Sequence, residues 1–242
     1  MSISEKLQKI AENEQKVYEA GKRAEYDRFW DNYQNLGYRE NYAYAFAGEG
    51  WYPDLFKPKY QFAKNTYNTQ YMFSMFNRSK SNQNYVPDFD LAEHLNNLGI
   101  TLDTSKCSNF THMYSESDIV RIPELNVTSC STFWVFASNS KIKIIDKIIL
   151  KADGSTLFNT TFNGLNDLEQ VTFEGAIGQN GFNVQWSTKL THDSLMSIIN
   201  HLQDKSTDTS GTTWLITLGE ANKGKLTESE IAIAEAKGWE VS

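Results

Sequence analysis

Residues 122–127 read IPELNV, residues 145–150 IDKIIL and residues 168–173 LEQVTF. Their first residues, Ile122, Ile145 and Leu168, lie 23 positions apart both times. Each piece is apolar at its first, fourth and sixth positions. One such unit consists of a strand and a return segment and cannot bury its apolar side alone. Stacked units can, because neighbouring strands then run about 4.8 Å apart and equivalent side chains form continuous rows. The expected rows are Ile122, Ile145 and Leu168; Leu125, Ile148 and Val171; and Val127, Leu150 and Phe173.

The residues upstream align as well. CSNFTHMYSESDIVRIPELNV stands over CSTFWVFASNSKIKIIDKIIL, so Cys107 matches Cys130, Phe110 matches Phe133 and Ile119 matches Ile142. STLFNTTFNGLNDLEQVTF comes next, with Phe158. A weaker unit begins at GFNVQW with Phe182, and LGITLD at 98–103 is a candidate half-unit. The row Phe110, Phe133, Phe158 and Phe182 is expected to close the core from the return side. A period in the twenties with this pattern is the mark of a leucine-rich repeat.

Beyond the repeats, LTHDSLMSIINHLQD (190–204) has a helical apolar period, with Thr191 as N-cap and Leu195, Ile198, Ile199 and Leu202 inward. STDTSGTT is a turn and WLITL (214–218) a strand. Thr227 and Glu230 form a capping box before a helix that Gly238 ends, and WEV is a last edge strand.

Two segments precede the repeats. Residues 2–35 lack proline and are rich in helix formers. Ile3, Leu7, Ile10, Val17 and Ala24 keep a three-four alternation, with Glu14 and Gly21 in the remaining slots, so the seam is an imperfect heptad. A lone helix with so thin a stripe is marginal in water. It needs either its own domain or an assembly partner, while Phe29, Trp30 and Tyr33 suit packing on the next segment of the chain. Residues 37–89 hold three of the four prolines and a dense set of aromatics, including Trp51, Tyr52 and Tyr67. They read as short helices and irregular segments. The rings either fill a cap over the next domain or, with neighbouring asparagines, stack on sugars.

The charge of −7 argues against a nucleic-acid backbone as partner, and no apolar run is long enough to cross a membrane. The first residues lack the apolar stretch of a secretory signal. The four sequons at Asn77, Asn109, Asn126 and Asn159 reflect a chain rich in Asn, Ser and Thr. Neither a metal-ligand spacing nor a nucleophile motif is present, and the carboxylates are scattered, so no catalytic residue, metal or cofactor is expected. Cys107 and Cys130 stand on neighbouring turns, either as half-buried thiols or within disulfide reach.

The stretch LFNTTFNGLNDLEQVTFEG resembles the BspA-like class of leucine-rich repeats. EKLQKIAENEQKVYEAGKRAEYDRFW, FAGEGWYPDLFKPKY and KLTESEIAIAEAKGWEV resemble, in that order, the opening, middle and end of a family carried by phages and prophages of gut Gram-positive bacteria. The resemblance implies a virion-associated, non-enzymatic binding or structural protein. The rivals are a bacterial cell-surface adhesin and a carbohydrate-active fibre enzyme.

The expected architecture is α/β (α+β). It comprises a docking or oligomerisation helix (1–36), an aromatic cap (37–89) and a short, irregular repeat solenoid with helical caps (90–242). Other virion proteins are expected to bind through the helix, with a homo-oligomer, by analogy with fibres a trimer. A host-surface glycan or protein would meet Trp51, Tyr52 and Tyr67 on the cap, or Glu124, Asn126, Lys147 and Gln170 on the outward strand face.

Overall fold

The computed structural model describes residues 2–35, 41–48, 56, 62, 66–78, 86–130, 133–158 and 161–242. Helix α1 (Ile3–Asn35) opens on a reciprocal cap, with the Glu5 amide donating to Ser2 Oγ and the Ser2 amide to Glu5 Oε2. Its described side chains are exposed, apart from half-buried Gln15 and Lys22. Ile3 is 79% exposed and Val17 73%. The apolar stripe is therefore uncovered by the described residues. The side chains of Phe29, Trp30 and Tyr33 lie outside them.

Next come turns rather than strands. The amides of Tyr42, Tyr44, Phe46 and Gly48 donate to the carbonyls of Asn68, Gln70, Met72 and Ser74 at 2.8–3.0 Å. The amides of Thr69, Tyr71, Phe73 and Met75 donate in turn to Asn109, Thr111, Met113 and Ser115 at 2.7–3.0 Å. His112, Tyr114 and Glu116 continue the ladder to Val135, Phe136 and Ser138 at 2.8–3.2 Å. This ladder runs across residue 90 without a break. Each turn is bent at two left-handed positions four residues apart: Tyr44 and Gly48, Tyr71 and Met75, His112 and Glu116, Val135 and Asn139.

The strand side begins with β1 (Phe89–Asp90), where Asp90 caps α2 (Leu91–Asn97) by accepting from the Glu93 amide at 2.7 Å. Strands β2 (Ile119–Ile122), β3 (Leu125–Asn126), β4 (Ile144–Ile149) and β5 (Gln170–Glu174) come after it, and every pairing is parallel. β2 and β3 are two halves of one rung, both against β4. The half-unit at 98–103 is not a strand, but Thr104 Oγ1 just beyond it accepts from the Asn126 amide at 2.8 Å.

The first two rungs pair as expected, Ile122 with Ile145 and Leu125 with Ile148. The third is corrected. Val171, not Leu168, stands beside Ile145, and Phe173, not Val171, beside Ile148. The cause is an irregularity in β4, which takes three residues from Ile145 to Ile148 where β5 takes two. β5 alternates strictly between exposed and buried residues. Leu168 slides back into the row of Ile119 and Ile142, and all of these side chains are buried. Glycine at 175 accommodates the new register, since a Cβ there would lie 2.4 Å from the Leu150 carbonyl oxygen.

Two rows of rings fill the return side. Phe110, Phe133, Phe158 and Phe182 succeed one another at 5.4, 6.4 and 4.9 Å between centroids, as the alignment anticipates. A second row, Phe46, Phe73, Tyr114 and Phe136, runs at 5.4, 5.4 and 6.3 Å.

A second parallel sheet joins β6 (Phe182–Asn183), β7 (Trp214–Thr217) and β8 (Trp239–Val241). Helix α3 (His192–Asn200), between β6 and β7, has the expected Thr191 cap and inward face. It also closes the open edge of β5: Ser194 Oγ and Ser197 Oγ accept from the Val171 and Phe173 amides at 3.0 and 2.9 Å. Short α4 (Glu220–Lys223) and α5 (Glu228–Ala236) precede β8, and α5 carries the expected capping box. Lys223 donates to the Val241 carbonyl at 3.0 Å.

Candidate functional site

The outward strand face is built from the residues that alternate with the buried rows. Two charge rows cross it. Arg121 lies between Asp90 at 3.5 Å and Asp146 at 2.7 Å, and Lys147 between Glu124 at 3.6 Å and Glu174 at 3.2 Å. The hydrogen bond from Arg121 to Asp146 raises the guanidinium pKa, and that from Lys147 to Glu174 raises the ammonium pKa. Each of these two cations serves two carboxylates, so negative charges outnumber positive ones in both rows.

α2 and the 100–104 segment rise beside this face and form a groove of about 750 Å³ whose lining includes Leu95, Leu102, Arg121, Glu124, Asn126 and Asp146. On the other side, Gln170, Thr172, Asp193 and Ser194 border a second depression that shares Arg121 and Asp146.

Of the residues expected to bind, Glu124, Asn126, Lys147 and Gln170 all lie on this face. Glu124 and Gln170 are exposed. Lys147 is half-buried between its two partners. Asn126 is partly committed to the fold, since its Oδ1 accepts from Thr128 Oγ1 at 2.6 Å and from the Thr128 amide at 3.1 Å. Tyr67 is 44% exposed on the turn side, away from these four. Trp51 and Tyr52 lie outside the described residues.

Sequence reasoning passed over Arg121, whose ion-pair partners Asp90 and Asp146 come from β1 and β4 and are remote in the chain. It also missed a surface ladder of rings. Tyr44 stacks on Tyr71 at 4.8 Å and 10°, and Tyr71 on His112 at 4.9 Å and 18°. The signal was legible: NYAYAF (41–46), NTQYMF (68–73) and NFTHMY (109–114) share one pattern, Asn first, Tyr or His fourth and Phe or Tyr sixth. In each, the Asn Oδ1 accepts from the backbone amide two residues on, at 2.9–3.0 Å, and turns the corner.

The remaining reactive groups serve the scaffold. Cys107 and Cys130 are buried free thiols, and burial pushes the Cys107 thiol up, away from the reactive thiolate. His94 bonds the Phe56 carbonyl, His192 bonds Glu230 at 2.8 Å and His201 bonds the Ser197 carbonyl at 2.7 Å. No group of three metal-ligating side chains occurs among the described residues, and none of their helices is long and apolar enough to cross a membrane. The chain matches no family model, no curated protein and no solved structure.

Proposed function

We propose that this protein is a non-enzymatic structural or adhesive component of a phage particle, in which α1 attaches or oligomerises the chain and the stacked turns and strands form a short BspA-like leucine-rich-repeat solenoid that meets a host surface. The observation that carries the reading is the uncovered stripe of α1. Ile3, Leu7, Ile10 and Val17 are 79%, 62%, 54% and 73% exposed. A helix of this composition gains too little from its own propensity to stand alone, so its stripe requires a partner. The resemblance of the opening and closing segments to phage-borne proteins supplies the particle, and the mixed polar strand face suits weak contacts repeated over many copies.

Deleting residues 2–35 is expected to leave the remainder folded and to lower the mass in solution, with a trimer the preferred state of the full chain. Light scattering that gave a monomer for both forms, together with no binding to other particle proteins, would overturn the assignment.

A further inference from the structure

Tyr44, Tyr71 and His112 occupy one position in three consecutive turns, with φ of 60°, 54° and 55°. The left-handed region is unfavourable for a residue other than glycine. The turn itself does not demand a ring, because the next turn carries Val135 at the same position, with φ of 42°. What distinguishes these positions is the row of parallel rings that they hold at the surface.

The row ends at Tyr44. One face of its ring lies on Tyr71, no other ring among the described residues covers it, and the residue is 60% exposed. The backbone ladder ends in the same turn. The carbonyls of Gln70, Met72 and Ser74 each receive an amide from the turn before, while the equivalent carbonyls of Ala43, Ala45 and Ala47 accept no hydrogen bond from the described residues. Asn41 spends its Oδ1 on the Ala43 amide and carries its NH₂ as a donor. The Tyr44–Tyr71 pair shows that ring stacking at 4.8 Å and backbone bonding at 3.0 Å occur together at this spacing. A flat ligand stacked on the other face of Tyr44 would therefore sit level with open acceptors.

The open edge also limits what fits. A second copy docked head to head would bring acceptors against acceptors. A further turn of polypeptide would need its own inward rings, but that end of the core is already closed by Phe56 on Phe46 at 4.9 Å and Phe62 on Tyr42 at 5.4 Å. Among the described residues, the rim is left for a ligand. A pyranose has one apolar face for the ring and hydroxyl donors for the carbonyls. We propose that the Tyr44 end of the ring ladder is a carbohydrate subsite, with Asn41 and the Ala43 carbonyl as its polar partners. This deepens the reading of the chain as a surface-binding protein and rests on it.

The test uses the full chain against a glycan array, and against methyl β-glucopyranoside, methyl β-galactopyranoside and N-acetylglucosamine by saturation-transfer NMR. At least one pyranoside is expected to bind. Tyr44→Ala is expected to weaken it about tenfold and Tyr44→Phe, which keeps the ring, by no more than about threefold. Both variants are expected to melt like the parent because the side chain is exposed. Binding by no sugar, or equal binding by Tyr44→Ala, overturns the subsite, as does binding lost in Tyr67→Ala but not in Tyr44→Ala. The α1 deletion does not touch Tyr44, so failure of the subsite and failure of the attachment reading register separately.

Discussion

Ile145 stands where the strand rungs meet, beside Ile122 on one side and Val171 on the other, and is 1% exposed. Ile145→Ala is expected to cost roughly 2–5 kcal/mol in chemical denaturation, the usual range for a large-to-small change in a packed core. Ile145→Asp is expected to prevent folding, because the rows around it are apolar and offer a buried carboxylate no cation. A soluble Asp variant with the parent's melting transition would show the inward row to be wrong. The position was legible from its 23-residue spacing, but its neighbour in β5 was not. Leu168 and Val171 are both apolar and three residues apart, so either satisfies the pattern. The extra residue that β4 spends between Ile145 and Ile148 decides between them.

Among the elements, the last strand of a parallel sheet needs a cover. β5 is covered by a helix that carries serine at positions 194 and 197, one turn apart, with the hydroxyls in place of a next strand's carbonyls. Replacing both serines by alanine leaves the Val171 and Phe173 amides unpaired beside the core. The expected loss is about 1–3 kcal/mol for each amide, seen as a lower urea midpoint with little change in slope. A double variant as stable as the parent would show that these bonds do not hold the edge. The helix, its cap and its apolar face are consequences of local sequence. That its serines face β5 depends on how the chain returns after β6, which no window of sequence contains. The turns at 41–48 and 68–77 were hidden for a different reason. Left-handed residues other than glycine leave no compositional mark, so NYAYAF and NTQYMF read as irregular until they are set beside NFTHMY.

Across the molecule, the surface corners are pinned by carboxylates. Ser155 holds the Asp153 carboxyl below its ordinary pKa and Ser206 does the same for Asp204. Ser210, then Trp214, lowers Asp208, and Thr227, then His192, lowers Glu230. With folded pKa values below the unfolded ones, the unfolded chain binds more protons in acid. This contribution is present above the ordinary carboxylate range and is lost as pH falls through and below it. The melting temperature is expected to drop between about pH 5 and pH 3 and to change little between about pH 6 and pH 7. A melting temperature that held or rose on acidification would contradict these caps.

Whatever repeats or acts locally was already present in the order of the amino acids: the 23-residue pitch, the inward rows of β2 to β4, the phenylalanine row on the return side, the capped helices α3 and α5, and a long N-terminal helix with a thin apolar stripe. Periodicity and capping are properties of neighbours in the chain, so a single sequence carries them. Folding in three dimensions settled what depends on residues distant in the chain. It fixed the register of β5, the pairing of Arg121 with Asp90 and Asp146, the stacking of Tyr44 on Tyr71 and of Tyr71 on His112, and the row of carbonyls left open where that stack ends. Each of these brings together groups from different turns, and their meeting is set by how the turns stack rather than by any one stretch.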